Sequence, residues 1–337
     1  MERLNVGIDV SKDTLDVAYW DQDEPVFLGQ FPNTKKGFQA IVKEIEVKCQ
    51  EINATSVLVV MEPTGGYEQP FARFAIKQEW QVSLPNPKRV RDWAKGIGKR
   101  AKTDRQDAMV LARFGFVQDP LPWKPLPPEV EQLEHLLDRL EDQKNMLSQE
   151  KNRLHAYKNR ANTHKAAVKN LNQSIAFLER QIQQLQKAIK EHLKTHPHLK
   201  EQKKLLLTVS GVGEKNVLYI LVMMHRWGEL TCGEGDARGL VAYVGLDPKP
   251  HESGTSVRKR AGISRQGNRQ LRSRLYMSAL GGIKGNNPLR AFYKRLVGRG
   301  KPEKLALVAS ARKILVWSWA VFKSNTPFDA ARFEHSH

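Results

Sequence analysis

From Glu129 to Thr195 the chain contains no glycine at all. A polar stretch of that length without the residue that most weakens a helix interior folds as long helix. Just before it, "PLPWKPLPP" sets five prolines in nine residues (120–128). That run reads as a linker or extended crossing. The first half of the glycine-free stretch places Val130, Leu133, Leu137, Leu140 and Leu147 on one stripe. The second half places Leu171, Ile175, Leu178, Ile182, Leu185 and Ile189 at alternating steps of four and three, a heptad seam. The polar "NRANTHKAAVKN" between them is a turn, so the expected element is an antiparallel helical hairpin over residues 126–198. Its seam is buried either inside the chain or against a second copy.

The hairpin separates two regions of different texture. Residues 1–125 mix strands and helices: "LNVGIDVS", "TLDVAYWD" and "PVFLGQFPN" read as strands, and "TKKGFQAIVKEIEVKCQE" as an amphipathic helix. The apolar "TSVLVVME" is a central strand. A helix from about Tyr67 to Glu79, a strand "QVSLP" and a basic segment follow, leading into a helix at Asp104. The expectation is an α/β domain around a mixed sheet. Residues 199–330 read as mainly helical, with a Gly/Ser/basic loop "KPHESGTSVRKRAGISRQGN" followed by two helices to about residue 323. Near their start, Gly211 and Gly213 in "SGVG" separate two helical runs. This is either a helix-hairpin-helix, whose turn amides face a phosphate beside Lys215, or an ordinary tight turn.

Lys and Arg number 55 against 36 Asp and Glu, a net charge of +19. Such an excess draws polyanions, nucleic acid before an anionic membrane surface. The longest apolar run, Val217 to Met224, is too short to span a bilayer. With no export signal in "MERLNVGIDV" and only Cys49 and Cys232, the expected setting is the cytosol, facing DNA or RNA.

Against this basic background, four acids stand out. Asp9 lies in the middle of the first strand, where an ionised carboxylate is costly unless paired or bound to a cation. Glu62 ends the apolar strand, and "PTGGY" turns the chain away from it. Asp104 and Asp107, three residues apart, share one helix face. Thr103 and Gln106 also permit a capping box that leaves both aspartates as first-turn charges. Taken together, acids on strand one, at the end of the fourth strand and on a later helix follow the order of an RNase H-like nuclease fold. Such a cluster suits Mg²⁺, with Mn²⁺ as a substitute. The flanking Lys88, Arg89, Arg91, Lys99, Arg100 and Lys102 would hold a phosphate backbone there. Trp93 among them is placed either to stack on a base or to anchor the core.

The blocks "VGIDVSKDTLDVA", "VVMEPTGGYEQPFA", "LPNPKRVRDWAKGIGKRAKTDRQDAMVLARF", "VSGVGEKN", "VAYVGLDPKPHESGTSVRKRAGISRQGNRQLRSRLYMSAL" and "NTPFDA" run in order from residue 4 to about 330. Together they resemble the insertion-sequence transposases with an N-terminal DEDD-type, RuvC-like domain, which include the bridge-RNA-guided recombinases. The resemblance implies a RuvC-like domain over 1–125, a coiled-coil dimerisation hairpin over 126–198 and a C-terminal transposase domain over 199–330. It implies that Asp9, Glu62, Asp104 and Asp107 bind the metal and that Ser253, in "HESGTS", is a catalytic serine, with Thr255 and Ser256 close by. Arg258, Lys259, Arg260 and Arg265 would neutralise the phosphate that the serine attacks. The implied reaction is DNA strand exchange through a phosphoserine, on donor and target DNA. The implied assembly is a homodimer that pairs into a homotetramer, with a structured guide RNA. Two other readings fit the same acids and charge: a nuclease of Holliday-junction-resolvase type without a serine nucleophile, and a binding protein without activity.

Overall fold

The computed structural model describes residues 3–21, 23–98, 103–249, 252–253, 257–258, 262–265 and 267–333. The chain divides into two compact units: Met1–Pro125 with Glu229–Thr231, and Leu126–Gly228 with Cys232–His337. The first is mixed α/β and the second is mainly helical.

In the first unit the strands are β1 (Arg3–Val10), β2 (Thr14–Asp21), β3 (Glu24–Pro32), β4 (Ser56–Met61) and β5 (Gln81–Ser83). They form one sheet in the order β3-β2-β1-β4-β5. β1, β2 and β3 pair antiparallel, and β1, β4 and β5 pair parallel. Helix α1 (Lys35–Ile52) joins β3 to β4, capped by the Thr34 hydroxyl, which accepts from Gly37 N. Helix α2 (Gln69–Lys77) joins β4 to β5. β1 and β4 carry near-continuous apolar runs because both faces of the central sheet are covered. One face meets Phe38, Ile41, Ile45 and Phe71 of α1 and α2. The other meets α4 (Asp104–Gln118), through Leu111 and Phe114 against Leu58 and Val60. The basic segment, read from sequence only as a lead-in, is itself helix α3 (Pro87–Gly96), started by Asn86 and by a proline at its first position.

The second unit opens with α5 (Pro128–Lys158) and α6 (Lys165–Thr195), two helices packed along each other. Val130, Leu133, Leu137 and Leu140 are buried at the root of α5, and Leu178 and Ile189 along α6. Then come α7 (Pro197–Leu207), α8 (Val217–Leu230) and α9 (Ala237–Val244). The expected loop carries four two-residue strands: β6 (Pro248–Lys249) pairs with β9 (Gly262–Ile263), and β7 (Glu252–Ser253) with β8 (Val257–Arg258). After it stand α10 (Arg269–Gly282), α11 (Pro288–Gly298), α12 (Glu303–Ser324) and the short α13 (Ala330–Phe333), where the sequence suggested two helices. The break before α11 is set by Asn287, whose side chain accepts from Arg290 N, with Pro288 following.

α12 is the axis of this unit: α7, α9, α10 and α11 all pack on it, and ten of its residues are buried. It is also long and apolar enough to cross a membrane by length and composition alone, but its ten buried residues are those of a core helix. Gly211 has φ +96°, and a Cβ there would lie 2.7 Å from Ile314 Cδ1 and 2.9 Å from Leu289 Cδ2. This glycine of the "SGVG" turn is thus required by packing on α11 and α12. Among the described residues, nothing lies within 4 Å of a Cβ at Gly213.

The root of α5 is tied to α8 and α10 by polar contacts. Arg226 pairs with Glu134, Arg274 pairs with Glu141, and the Arg274 guanidinium lies 3.5 Å from the centre of the Tyr219 ring.

Candidate functional site

Asp9 sits near the end of β1, one residue beyond the last parallel pair with β4, Ile8 and Met61. Glu62 follows Met61 directly, so parallel pairing brings the two acids to the same end of neighbouring strands. The chain after Glu62 is held by a residue the sequence reading passed over. Glu68 is buried, and its carboxylate accepts from Thr64 N at 2.9 Å and Gly66 N at 3.1 Å. Gly65 and Gly66 both have positive φ in this turn. The Thr64 hydroxyl donates to the Glu62 carbonyl at 3.1 Å.

The helix carrying the other two acids reaches Asp9 because of Gly7. A Cβ on Gly7 would lie 2.2 Å from both Ala108 O and Ala112 N, so the backbone of α4 rests on β1 where there is no side chain. The small Ala108 and Ala112 complete the close approach. Thr103 caps α4, its hydroxyl accepting from Gln106 N at 3.3 Å. Asp104 and Asp107 lie in the first turn of α4, exposed and half-buried respectively. The capping role and the placement beside Asp9 thus coexist.

A fifth carboxylate, absent from the sequence reading, lies across the ladder. Asp16 on β2 pairs with Asp9, is 5% exposed, and receives Gln30 Nε2 at 3.2 and 3.1 Å on its two oxygens. The Asp9 carboxyl is pushed up to about 6, first by burial and then by the charges of Asp107, Asp104, Asp16 and Glu62 in that order. The other three sequence-selected acids therefore all act on Asp9, with Asp16 added.

Residues 6–159 match the family profile of the DEDD transposase domain of IS110 type, described as "Transposase". Residues 203–294 match "Transposase IS116/IS110/IS902 family". The chain is 32% identical to the pilin gene-inverting proteins of Moraxella lacunata and Moraxella bovis, over 98% of its own length and 98% of theirs. It is also 30% identical, over 37% of its length, to the insertion element IS110 uncharacterized 43.6 kDa protein of Streptomyces coelicolor, covering 30% of that chain.

The chain belongs to the IS110/IS902 transposase family. It is therefore a member of an enzyme family that recombines DNA.

In this transposase, no group of three or more His, Cys, Asp or Glu among the described residues is arranged to hold a metal ion. Charge acts over longer distances than coordination, so the field on Asp9 and the lack of a closed ligand set are compatible. The donors are all carboxylates, the hard oxygen ligands that Mg²⁺ or Mn²⁺ prefers, and their repulsion is what a bound cation relieves. In donor chemistry the residues fit a divalent ion.

Lys88, Arg89 and Arg91 are exposed on α3, with the Arg89 guanidinium 5.8 Å from the centre of Phe114. Trp93 meets Phe114 edge-on at 5.3 Å and packs on the α4 core, which accounts for it as an anchor. Lys99, Arg100 and Lys102 lie outside the described residues. In the second unit Ser253 lies on β7, in register with Val257 of β8, and Arg258 is in register with Glu252. Lys259, Arg260, Thr255 and Ser256 lie outside the described residues. Arg265 is exposed, with φ +57° and its N–H donating to Gly245 O at 3.2 Å. Lys215 is exposed just before α8.

Proposed function

We propose that the chain is a DNA recombinase of an insertion sequence that cuts and rejoins strands through a phosphoserine at Ser253, supported by a divalent ion at Asp9, Glu62, Asp104 and Asp107. The observation that carries this reading is the field on Asp9, whose carboxyl is raised to about 6 with Asp107, Asp104 and Glu62 among the causes. Residues that meet only to cap and pair would not be assembled against so unfavourable a charge. The sheet order β3-β2-β1-β4-β5, with acids on β1, after β4 and on the helix covering them, supports an RNase H-like, RuvC-like domain.

In the first step Ser253 Oγ forms a bond to phosphorus and one P–O ester bond of the strand breaks. The serine proton is lost to a base or to solvent, the departing strand oxygen takes up one proton by the same route, and the strand leaves with a hydroxyl end. In the second step a strand hydroxyl attacks the phosphoserine, a new phosphodiester forms, and the serine is restored. Bond count is conserved, so no external energy source is needed. The divalent ion supplies neutralisation of the charge that builds on the phosphate oxygens. Lys88, Arg89 and Arg91 on α3 of the first unit, and Arg258 and Arg265 of the second, are read as binding backbone phosphates, each unit by itself; the same role is assigned to Lys99, Arg100, Lys102, Lys215, Lys259 and Arg260 by their charge alone. The turn before Lys215 serves as a helix-hairpin-helix-like phosphate contact.

The near-full-length likeness to two pilin gene-inverting proteins supports strand exchange rather than simple hydrolysis. A structured guide RNA from the element, dimerisation through the 126–198 hairpin and pairing of dimers into a tetramer complete the reading, with 199–330 as the transposase domain that brings Ser253.

The test is a cleavage assay with labelled element-end DNA, target DNA and the RNA transcribed from the element's flank. The expected result is a denaturant-resistant protein–DNA adduct that requires Mg²⁺ and Asp9 and disappears in Ser253→Ala. Free DNA ends surviving in Ser253→Ala would instead mark a nuclease of Holliday-junction-resolvase type. An adduct persisting in that variant would move the nucleophile to another residue.

A further inference from the structure

Away from the acids and from Ser253, α11 and α12 enclose a pocket of about 140 Å³ lined by Pro288, Ala291, Phe292, Arg295, Lys313 and Trp317. Its composition is unusual for a gap between helices. Two aromatic rings and two cations share the wall. The Lys313 ammonium lies 5.9 Å from the centre of Phe292 and 5.6 Å from that of Trp317, and the Arg295 guanidinium lies 5.5 Å from Phe292. The groups that shift Lys313, after its burial, are Arg295 and Arg312, both positive, so cations gather here against their mutual repulsion.

Trp317 is 3% exposed, and its indole N–H is buried without an acceptor among the described residues. Buried indole donors are normally paired, so the packing around this ring is under-satisfied. The ring is fixed from behind by Phe328, at 4.8 Å, whose own backbone N–H donates to the Thr208 hydroxyl at 2.8 Å. The wall is thus braced by three parts of the second unit.

Size narrows the ligand. A cavity of about 150 Å³ accommodates a single six-membered aromatic ring. Aromatic faces beside cations suit a flat ring that carries a phosphate. A pyrimidine also offers carbonyl acceptors, which a hydrocarbon ring lacks. We propose that this pocket receives one unpaired pyrimidine nucleotide, its base against Phe292 and Trp317 and its phosphate at Arg295 and Lys313. The role is to hold a nucleotide out of its stack, apart from the site of strand cleavage. This needs only that the enzyme meets nucleic acid, and it does not depend on the assignment of Ser253 or of the metal.

The test uses the full chain in EDTA, so that strand cleavage does not intervene, with fluorescein-labelled nine-position strands. One carries a single central thymidine among abasic positions, one a central adenosine, and one is abasic throughout; a matching ribose series carries uridine. The thymidine strand is expected to bind about tenfold more tightly than the abasic strand and more tightly than the adenosine strand. Phe292→Leu, at a half-buried position, should reduce that preference to less than twofold, while Arg295→Ala should weaken binding of all the strands. A preference seen in the deoxyribose or the ribose series supports the pocket and assigns its source to DNA or RNA. Equal binding of pyrimidine and abasic strands in both series, tighter adenosine binding, or a preference that persists in Phe292→Leu would overturn it. Trp317→Leu is avoided as the sole probe because its loss opens the core, and the far-ultraviolet circular dichroism of Phe292→Leu verifies its fold.

Discussion

Asp9 and Asp16 are direct partners across the β1–β2 ladder, so two carboxylates face each other on adjoining strands. Like charges directly opposite destabilise a strand pair, and burial raises the penalty. Asp16 has Gln30 to receive it, whereas the Asp9 carboxyl is raised to about 6. A folded pKa above the unfolded value of 3.8 means that the ionised group weakens the fold. That penalty sets in as pH rises through 3.8 and is complete above 6.

Asp9→Asn should therefore stabilise the ion-free protein at pH 7 while abolishing strand cleavage. The gain expected is about 1–2 kcal/mol, reduced from the full shift because the carboxylate is partly exposed and screened. Thermal denaturation in EDTA should show a higher Tm for the variant. Added Mg²⁺ should raise the wild-type Tm more than the variant's. A variant less stable than wild type in EDTA would refute the repulsion account.

Gly7→Ala should be severe although it adds one methyl group. The Cβ would enter the backbone of α4, which cannot move aside as a flexible side chain does. A loss of roughly 3 kcal/mol or more in urea denaturation is expected, as for strong overpacking. Strand cleavage should fall with it, because α4 carries Asp104 and Asp107.

Glu68→Ala should leave every candidate acid in place and still impair the enzyme. It removes the acceptor of two amides in the turn after Glu62, at a cost of about 1–3 kcal/mol. Glu68→Gln retains a carbonyl acceptor and should recover part of both stability and cleavage. Circular dichroism melts and cleavage rates on the two variants decide the matter.

His225 gives the second unit a pH dependence of its own. Burial, and then His198, lower it from 6.5 to about 4, while its Nε2 meets Gln202 Oε1 at 2.8 Å and its ring meets Phe322 edge-on. A depressed histidine contributes stability that is present above 6.5 and lost as pH falls toward 4. Between pH 7 and pH 5 the loss should be on the order of 2 kcal/mol. His225→Asn should flatten that part of the urea-denaturation profile.

The strands, the hairpin and the order of the four acids were legible because apolar alternation and heptad spacing extend over many residues. Asp16 and Glu68 were not. Each is one acid among 36 Asp and Glu, and its role arises from a partner brought near by strand pairing or by a turn. The helix at 87–96 was obscured by its charge, since only Val90 on it is buried. The sequence reading puts two helices to about residue 323 where α10, α11 and α12 stand, although "GGIKGNNP" and "GRGKP" both carry glycine and proline at the breaks. No periodicity marks Ser253. Only the family resemblance singles it out.

The hairpin root also has a mechanical consequence. A 31-residue helix such as α5 is about 46 Å long. Pivoting it by about 5° where Arg226 and Arg274 grip Glu134 and Glu141 would sweep its far end, about 31 Å away, through about 3 Å. The two arginines thus act as the bearing of a long arm. A strain too small to disturb the packing of α8 and α10 would become a displacement as long as a hydrogen bond at the tip.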